Sequence, residues 1–244
     1  MRLWGGLLAL ACGCGRIGFS AITDRDASGD GVVPAEACPA FASFCDGFES
    51  DNLGAWSYSV VTSATLQAES SIVHTGHDAL ESVGPSSTVF YGWAVHDFPA
   101  QTSGILAVRE WMYSAQPLVA DDQVLTLDGG SANGNDFISV TGGVDNTWRA
   151  PEGDGATNTV YADHPSTTPI AQSTWVCIEL DVMLATTGSS LILYVADQQV
   201  ATGSLVTPSP GYKSLGAGNA AVAGAGGTVY VDDVVMAAQH IGCQ

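Results

Sequence analysis

Basic residues are scarce in this chain: Lys and Arg total 6 against 25 Asp and Glu in 244 residues, a formal charge of -19. A field of that sign repels phosphate backbones, which excludes nucleic acid as a partner, and it repels anionic polysaccharides unless a cation bridges them. Charged residues are few overall, 13% against 46% hydrophobic, so the chain can build a core and disorder is not expected. Long apolar runs are missing beyond the N-terminus, where a membrane-spanning helix would need about 20 residues. Helical periodicity is missing as well. The nearest approach is "SIVHTGHDALESV", and Gly76 interrupts it. There is no G-x-S-x-G elbow and no C-x-x-C pair, which removes the serine hydrolase and zinc-ribbon readings. The lack of a fixed repeat argues against a propeller or a β-helix.

The N-terminus "MRLWGGLLALACGCG" has one early Arg2, an apolar run from Leu3 to Ala11, and then cysteines among small residues. That is the layout of a secretory signal. A cysteine at that place resembles a bacterial lipobox, in which the thiol takes a lipid; Cys14, preceded by Gly13, is favoured over Cys12. Residues 1–14 are therefore read as a lipoprotein-type signal peptide and 15–37 as an acidic flexible tether. Residues 38–244 are read as the folded domain, exported and lipid-anchored at a bacterial outer membrane or cell surface. Within the tether, Asp24, Asp26, Ser28, Gly29 and Asp30 follow the early spacing of a calcium loop, but Ala35 stands where the closing Glu belongs. The remaining cysteines, Cys38, Cys45, Cys177 and Cys243, form an even set suited to an oxidising compartment, and sequence leaves their pairing open among three connectivities.

From Cys38 onward, short runs rich in Val, Ile, Thr, Tyr and Trp alternate with Gly, Asn, Ser, Thr and Pro clusters. Among them are "STVFYGWAVHDF", "GILAVREWMYS", "TWVCIELDVML" and "GGTVYVDDVVMAA", and "ADQQ" is read as the turn of a hairpin within "SLILYVADQQVATG". Many strands with frequent turn signals predict an all-β fold, a two-sheet antiparallel β-sandwich.

The order "FCDGFES…GAW", "VHTGHDALES", "TWVCIELDV…SLILYVADQQVATG" and "VYVDDVVM" resembles the concanavalin A-like jelly rolls, more narrowly the laminin-G-like domains of bacterial surface proteins and their carbohydrate-binding relatives. The likeness runs loosely over residues 44 to 243, and the hairpin turn lacks the family's usual Gly. It implies that the opening and closing strands pair antiparallel, bringing Glu49 near Asp232 and Asp233. From that pairing the resemblance implies disulfides Cys38–Cys243 and Cys45–Cys177. It also implies a structural Ca²⁺ held by Glu49, Asp51, Asp232 and Asp233, with Asp233 buried and Asp232 outward by strand alternation.

The resemblance suggests two enzymatic readings. Family 16 glycoside hydrolases carry "E-(I/L)-D-x-x-E", but "ELDVML" offers Glu179 and Asp181 without the third carboxylate, so these two acids are expected on a solvent-facing strand surface. A lyase would draw on His96, Tyr91 or Tyr113, and Arg109 or Arg149. His74 and His77 share an H-x-x-H spacing without a third ligand and are read as surface histidines. For glycan binding the candidates are Tyr91, Trp93, Trp111, Tyr113 and Trp148, paired by alternation on strand faces; such aromatics serve a core equally well. Trp56 and Trp175 are expected in the core, with Phe44 and Phe48 as anchors. The expected function is a monomeric, non-catalytic domain that binds a glycan or another extracellular partner, with a carbohydrate-active enzyme or a structural envelope component as alternatives.

Overall fold

The computed structural model describes residues 38–50, 52–85, 89–129, 136–155, 159–206, 211–221 and 226–243, all within one compact unit, Val32–Gln244. Residues 1–14 and 15–37, read from sequence as a signal peptide and a tether, the lipidation candidates Cys12 and Cys14, and Asp51 lie outside these residues.

Fifteen strands run in chain order through the described residues: β1 (Ala42–Asp46), β2 (Tyr58–Thr62), β3 (Thr65–Glu69), β4 (Ala79–Val83) and β5 (Phe90–Gln101) come first. Then follow β6 (Gly104–Ser114), β7 (Asp122–Asp128), β8 (Asp136–Gly142), β9 (Thr147–Asp154) and β10 (Thr159–Pro169). The last are β11 (Trp175–Leu184), β12 (Ser190–Val195), β13 (Gln198–Ser204), β14 (Tyr212–Ala221) and β15 (Thr228–Ala237). They form two antiparallel sheets. The 8-stranded sheet has the order β13-β12-β11-β6-β15-β4-β3, with β1 also paired to β15, and the 7-stranded sheet has the order β10-β9-β8-β7-β14-β5-β2. This is the expected jelly-roll sandwich.

Alternation decides what each sheet buries. From the 8-stranded sheet, Leu106, Val108, Met112, Ile178, Leu180, Val229 and Val231 enter one core. They meet Ala94, Leu125, Leu127, Ile138, Leu215 and Ala217 from the other sheet. Trp148 is in that core with no exposed surface, so it offers no face to a sugar and is withdrawn as a ligand-binding candidate. Phe48 and Trp56 join the core as expected, their rings stacked at 5.7 Å, with Phe44 packed against it. Trp175 is only half buried and lies on the outer side of β11, where its indole N–H donates to Val73 O at 3.0 Å.

The hairpin joining β12 to β13 turns on Ala196 and Asp197, with φ of 48° and 61°. Two left-handed residues in a two-residue loop match the right-handed twist of the flanking strands, so the turn forms without its customary glycine.

The predicted disulfides are corrected. The bonds are Cys38–Cys45, with Cα atoms 5.7 Å apart, and Cys177–Cys243, at 5.9 Å. β1 does pair antiparallel with β15, Cys45 opposite Val235. The chain before it, however, folds back on itself, Ala42 N–H donating to Pro39 O at 2.9 Å, and so brings Cys38 beside Cys45. At the other end, the tail after β15 lies over β11, where the Ile241 N–H reaches Glu179. Cys243 therefore meets Cys177, within the Cα separation that a disulfide requires.

Candidate functional site

Three clusters of functional side chains stand out: the junction of the first and last strands, a group on the outer face of the 8-stranded sheet, and a groove on the outer face of the 7-stranded sheet.

The junction collects the acids of "FCDGFES". Asp46 is structural: its two oxygens accept the Phe48 N–H at 3.0 Å and the Trp56 indole N–H at 2.7 Å. Glu49 accepts the His77 N–H on both oxygens, at 2.9 and 3.0 Å. Asp232 accepts the N–H groups of His74 at 2.9 Å, Thr75 at 3.2 Å and Asp233 at 2.8 Å. Asp233 holds His74 Nδ1 at 2.7 Å and the Thr75 hydroxyl at 2.9 Å. Asp232 lies on the outer face as alternation predicts, opposite Trp111, and is buried there because loop 73–78 covers it. Asp233, expected on the inner face, turns to the same side because β15 is irregular between Asp232 and Val235 and Asp233 adopts φ 48°. A bulge cancels strict alternation, so both aspartates reach the same loop. Burial, and then the charge of Asp233, pushes Asp232 up to about 8.

Both oxygens of Glu49 and of Asp233, and Oδ2 of Asp232, accept an N–H or O–H from loop 73–78 or are paired with His74, while Oδ1 of Asp232 accepts the N–H of Asp233. The acids latch that loop. His74 is thereby no surface histidine: it stacks on Trp111 at 3.9 Å. Trp111 and Tyr113 do share a face of β6, but Trp111 lies under His74 and Tyr113 packs against Trp175 and Tyr230.

The expectation for Glu179 and Asp181 is also corrected. Both point outward from β11, yet Glu179 has no exposed surface, because the C-terminal tail covers it. Its oxygens accept the Ile241 N–H at 2.6 Å and the Gly242 N–H at 2.8 Å. His240, in the same tail, brings Nδ1 to 3.1 Å from Glu179 and 2.9 Å from Asp181. Among the described residues, these three form a group whose ligand atoms could hold a metal ion. Sequence reasoning missed His240, which follows the last strand and carries no motif. Arg109 is buried beneath the same tail, its guanidinium donating to Gly242 O at 3.2 Å and Asp233 O at 3.4 Å.

The groove has a volume of about 300 Å³ and is lined by Tyr58, Tyr91, Trp93, Phe137, Gln123, Thr126, Asp128 and Ser214 among others. β5 contributes Tyr91, Trp93 and Val95 by alternation, opposite to core-facing Phe90 and Ala94. Trp93 is only 6% exposed. It lies beside Gly216, where an added Cβ would be in ordinary contact with Trp93 at 3.5 Å but would meet Thr126 Cγ2 at 2.7 Å. Tyr58, on the edge strand β2, is 49% exposed, and burial with the nearby charges of Asp97 and Asp128 raises its hydroxyl above the usual tyrosine value. Of the aromatics chosen from sequence, Tyr91 and Trp93 meet here. Tyr58 and Phe137 were missed, although Tyr58 alternates with Val60 in "YSVVT". The lyase set is not assembled: His96 stacks on Phe44 at 3.8 Å, Arg109 lies in the opposite sheet, and Arg149 pairs with Asp163. No described residue lining the groove is Arg, Lys or His.

No protein-family profile and no curated protein matches this chain. Solved structures do. "Cellulose induced protein, Cip1" superposes with a TM-score of 0.62 at 15% identity, over 82% of this chain and 100% of its own. An endo-β-1,4-glucuronan lyase from the fungus Trichoderma reesei superposes with a TM-score of 0.61 at 11% identity, over 80% of this chain and 95% of its own. Domain 4 of AbnA, an extracellular arabinanase from Geobacillus stearothermophilus in complex with arabinotriose, gives 0.52 at 13% identity, over 81% and 94%. At such identities the likeness establishes the shared sandwich fold and nothing finer.

Proposed function

We propose that this is an exported, non-catalytic glycan-binding domain that takes a neutral sugar in the groove of the 7-stranded sheet. The observation that carries this reading is the lining itself. Tyr58, Tyr91, Trp93 and Phe137 offer aromatic surface, and Gln123, Thr126, Asp128 and Ser214 offer hydrogen-bonding groups within one small cavity. Binding sites combine apolar walls with a few placed polar groups in this way, and about 300 Å³ is the lower end of their usual range. That size suits one sugar unit of a chain. The sign of the charge narrows the ligand. Asp128 accepts from hydroxyls but repels a uronate, and the described lining supplies no cation to neutralise one. Retaining hydrolysis needs two carboxyl groups about 5 Å apart, and the described lining contributes a single carboxylate, Asp128.

The fold neighbours support a glycan context, since their names concern a cellulose-induced protein, a glucuronan lyase and an arabinanase domain. The two disulfides suit an oxidising compartment. The leader adds export, with Cys14 as the lipid-bearing residue and Cys12 as the alternative. Affinity electrophoresis of the protein through gels cast with neutral polysaccharides and with uronate polymers tests the reading. Retardation by a neutral polymer without chain cleavage is expected. Cleavage of either polymer, or retardation only by the uronates, contradicts it.

A further inference from the structure

A second site lies on the other side of the sandwich. We propose that Glu179, Asp181 and His240 bind a divalent transition-metal cation of the zinc class, which fastens the C-terminal tail to β11. Glu179 and Asp181 are two residues apart on one strand, so their side chains rise from the same face of the sheet. The tail places the imidazole across both: Nδ1 is 3.1 Å from Glu179 Oε1 and 2.9 Å from Asp181 Oδ2, and the three ligand atoms lie within 4.8 Å of one another. Ligand atoms around one tetrahedral cation stand about 3.4 Å apart when each is about 2.1 Å from the metal, so the two His240 separations need to open by only a few tenths of an ångström for an ion to replace the imidazole proton between them.

Several features hold the donors in place. Glu179 is oriented by the Ile241 and Gly242 N–H groups. The tail is anchored by Cys177–Cys243 and by the Cys243 N–H on Asp197 Oδ1 at 2.7 Å. The His240 ring rests against Tyr194, centroids 4.6 Å apart. Asp181 Oδ1 is buried and has no hydrogen-bond partner among the described residues, an acceptor left over for a ligand. The His240 side chain is 48% exposed, so ions enter from solvent and water completes the shell.

The donor set selects the metal. One imidazole nitrogen with two carboxylates suits Zn²⁺ and its first-row neighbours, whereas calcium takes oxygen ligands only, usually six to eight of them. The site is independent of the groove reading, since it lies on the opposite outer face and uses none of its residues.

The test is calorimetric titration of ZnCl₂, and separately CaCl₂, into the metal-stripped full chain at pH 7.5. His240→Ala, Asp181→Asn and a control, His77→Ala, are titrated alongside, with circular dichroism confirming that each folds. Wild type and His77→Ala should each take up one Zn²⁺ at a saturable site with micromolar affinity, and calcium should show no such event. His240→Ala and Asp181→Asn should each weaken that event at least tenfold. Absence of saturable zinc binding in wild type overturns the proposal, as does zinc binding unchanged in folded His240→Ala and Asp181→Asn. A metal site lost with the groove's sugar binding intact, or the reverse, separates the two conclusions.

Discussion

The two outer faces of this sandwich have been treated in opposite ways. On the 8-stranded sheet, the C-terminal tail and loop 73–78 lie across the strands, and Arg109, Glu179, Asp232 and Asp233 are buried beneath them. On the 7-stranded sheet, Tyr58, Val60 and Val61 remain exposed, and the aromatics beside them border a cavity. Glu179, Asp232 and Asp233 on the covered face are spent on backbone N–H groups, on Thr75 and on the histidines His74 and His240. On the open face, aromatic surface borders a cavity beside polar side chains that include Thr126 and Ser214, whose hydroxyls also donate to Ile138 O at 3.4 Å and Asp128 O at 3.5 Å. If the groove binds a sugar as proposed, substitutions should divide accordingly: those on the covered face should cost stability and those on the open face should cost binding.

The largest expected effect is on the covered face. Replacing both Cys177 and Cys243 with serine releases a bridge of sequence separation 66, which the loop-entropy model values at roughly 4 kcal/mol. Denaturant unfolding should show that loss, while sugar binding by the folded fraction stays as in wild type. A smaller effect is expected at Gly76, which has φ 68° and whose added Cβ would fall 1.9 Å from Glu49 Oε1. Gly76→Ala should cost about 2 kcal/mol, from the left-handed backbone and the lost latch together. An unchanged melt would mean that Glu49 does not hold this loop.

Between the faces, pH provides the next contrast. Glu110 points into the core with Val108 and Met112, and neither carboxylate oxygen has a partner among the described residues. Burial holds it well above the ordinary glutamate value, and burial likewise pushes Asp122 up to about 7. Both groups bind their proton more tightly folded than unfolded. The stabilisation they give is complete below about pH 4 and is lost as pH rises, through about 7 in the case of Asp122. Melts between pH 4.5 and 8 should fall in that direction. Glu110→Gln should flatten the curve and raise stability at pH 8; a steeper fall would show that the carboxylate is ionised and paired. The smallest stability effect belongs to the open face: Tyr58→Ala should change unfolding free energy by no more than about 0.5 kcal/mol, although it removes the most exposed aromatic of the groove.

How far the sequence could be read follows the same physics. Strands rich in β-branched and aromatic residues were legible, and β6 runs over the predicted segment, Gly104–Ser114. β10 and β14 were not. β10 contains His164-Pro165 and ends at Pro169, and it can carry prolines because it is an edge strand. β14, "YKSLGAGNAA", looks like a loop. It lies inside the sheet between β7 and β5, where Gly216 leaves space for the Thr126 methyl and Gly218 lets the backbone of β5 come close. The pairing of the first and last strands was legible from motif order, but the disulfides were not, because the bonding partner depends on where the chain goes after each strand ends. Alternation held for Asp232 and failed at Asp233, because a bulge carries no sequence mark. The groove was half visible: Tyr91 and Trp93 share a face by spacing, whereas their union with Tyr58 and Phe137 requires the order β8-β7-β14-β5-β2.

The most direct measurement is a calorimetric titration of the neutral oligosaccharide selected by gel retardation into wild type, Tyr58→Ala and Trp111→Ala. The account predicts that Tyr58→Ala weakens binding at least tenfold without altering the melt, and that Trp111→Ala, beneath His74 on the covered face, lowers stability and leaves affinity unchanged. Binding that survives Tyr58→Ala and is lost in folded Trp111→Ala would place recognition on the other face and contradict it.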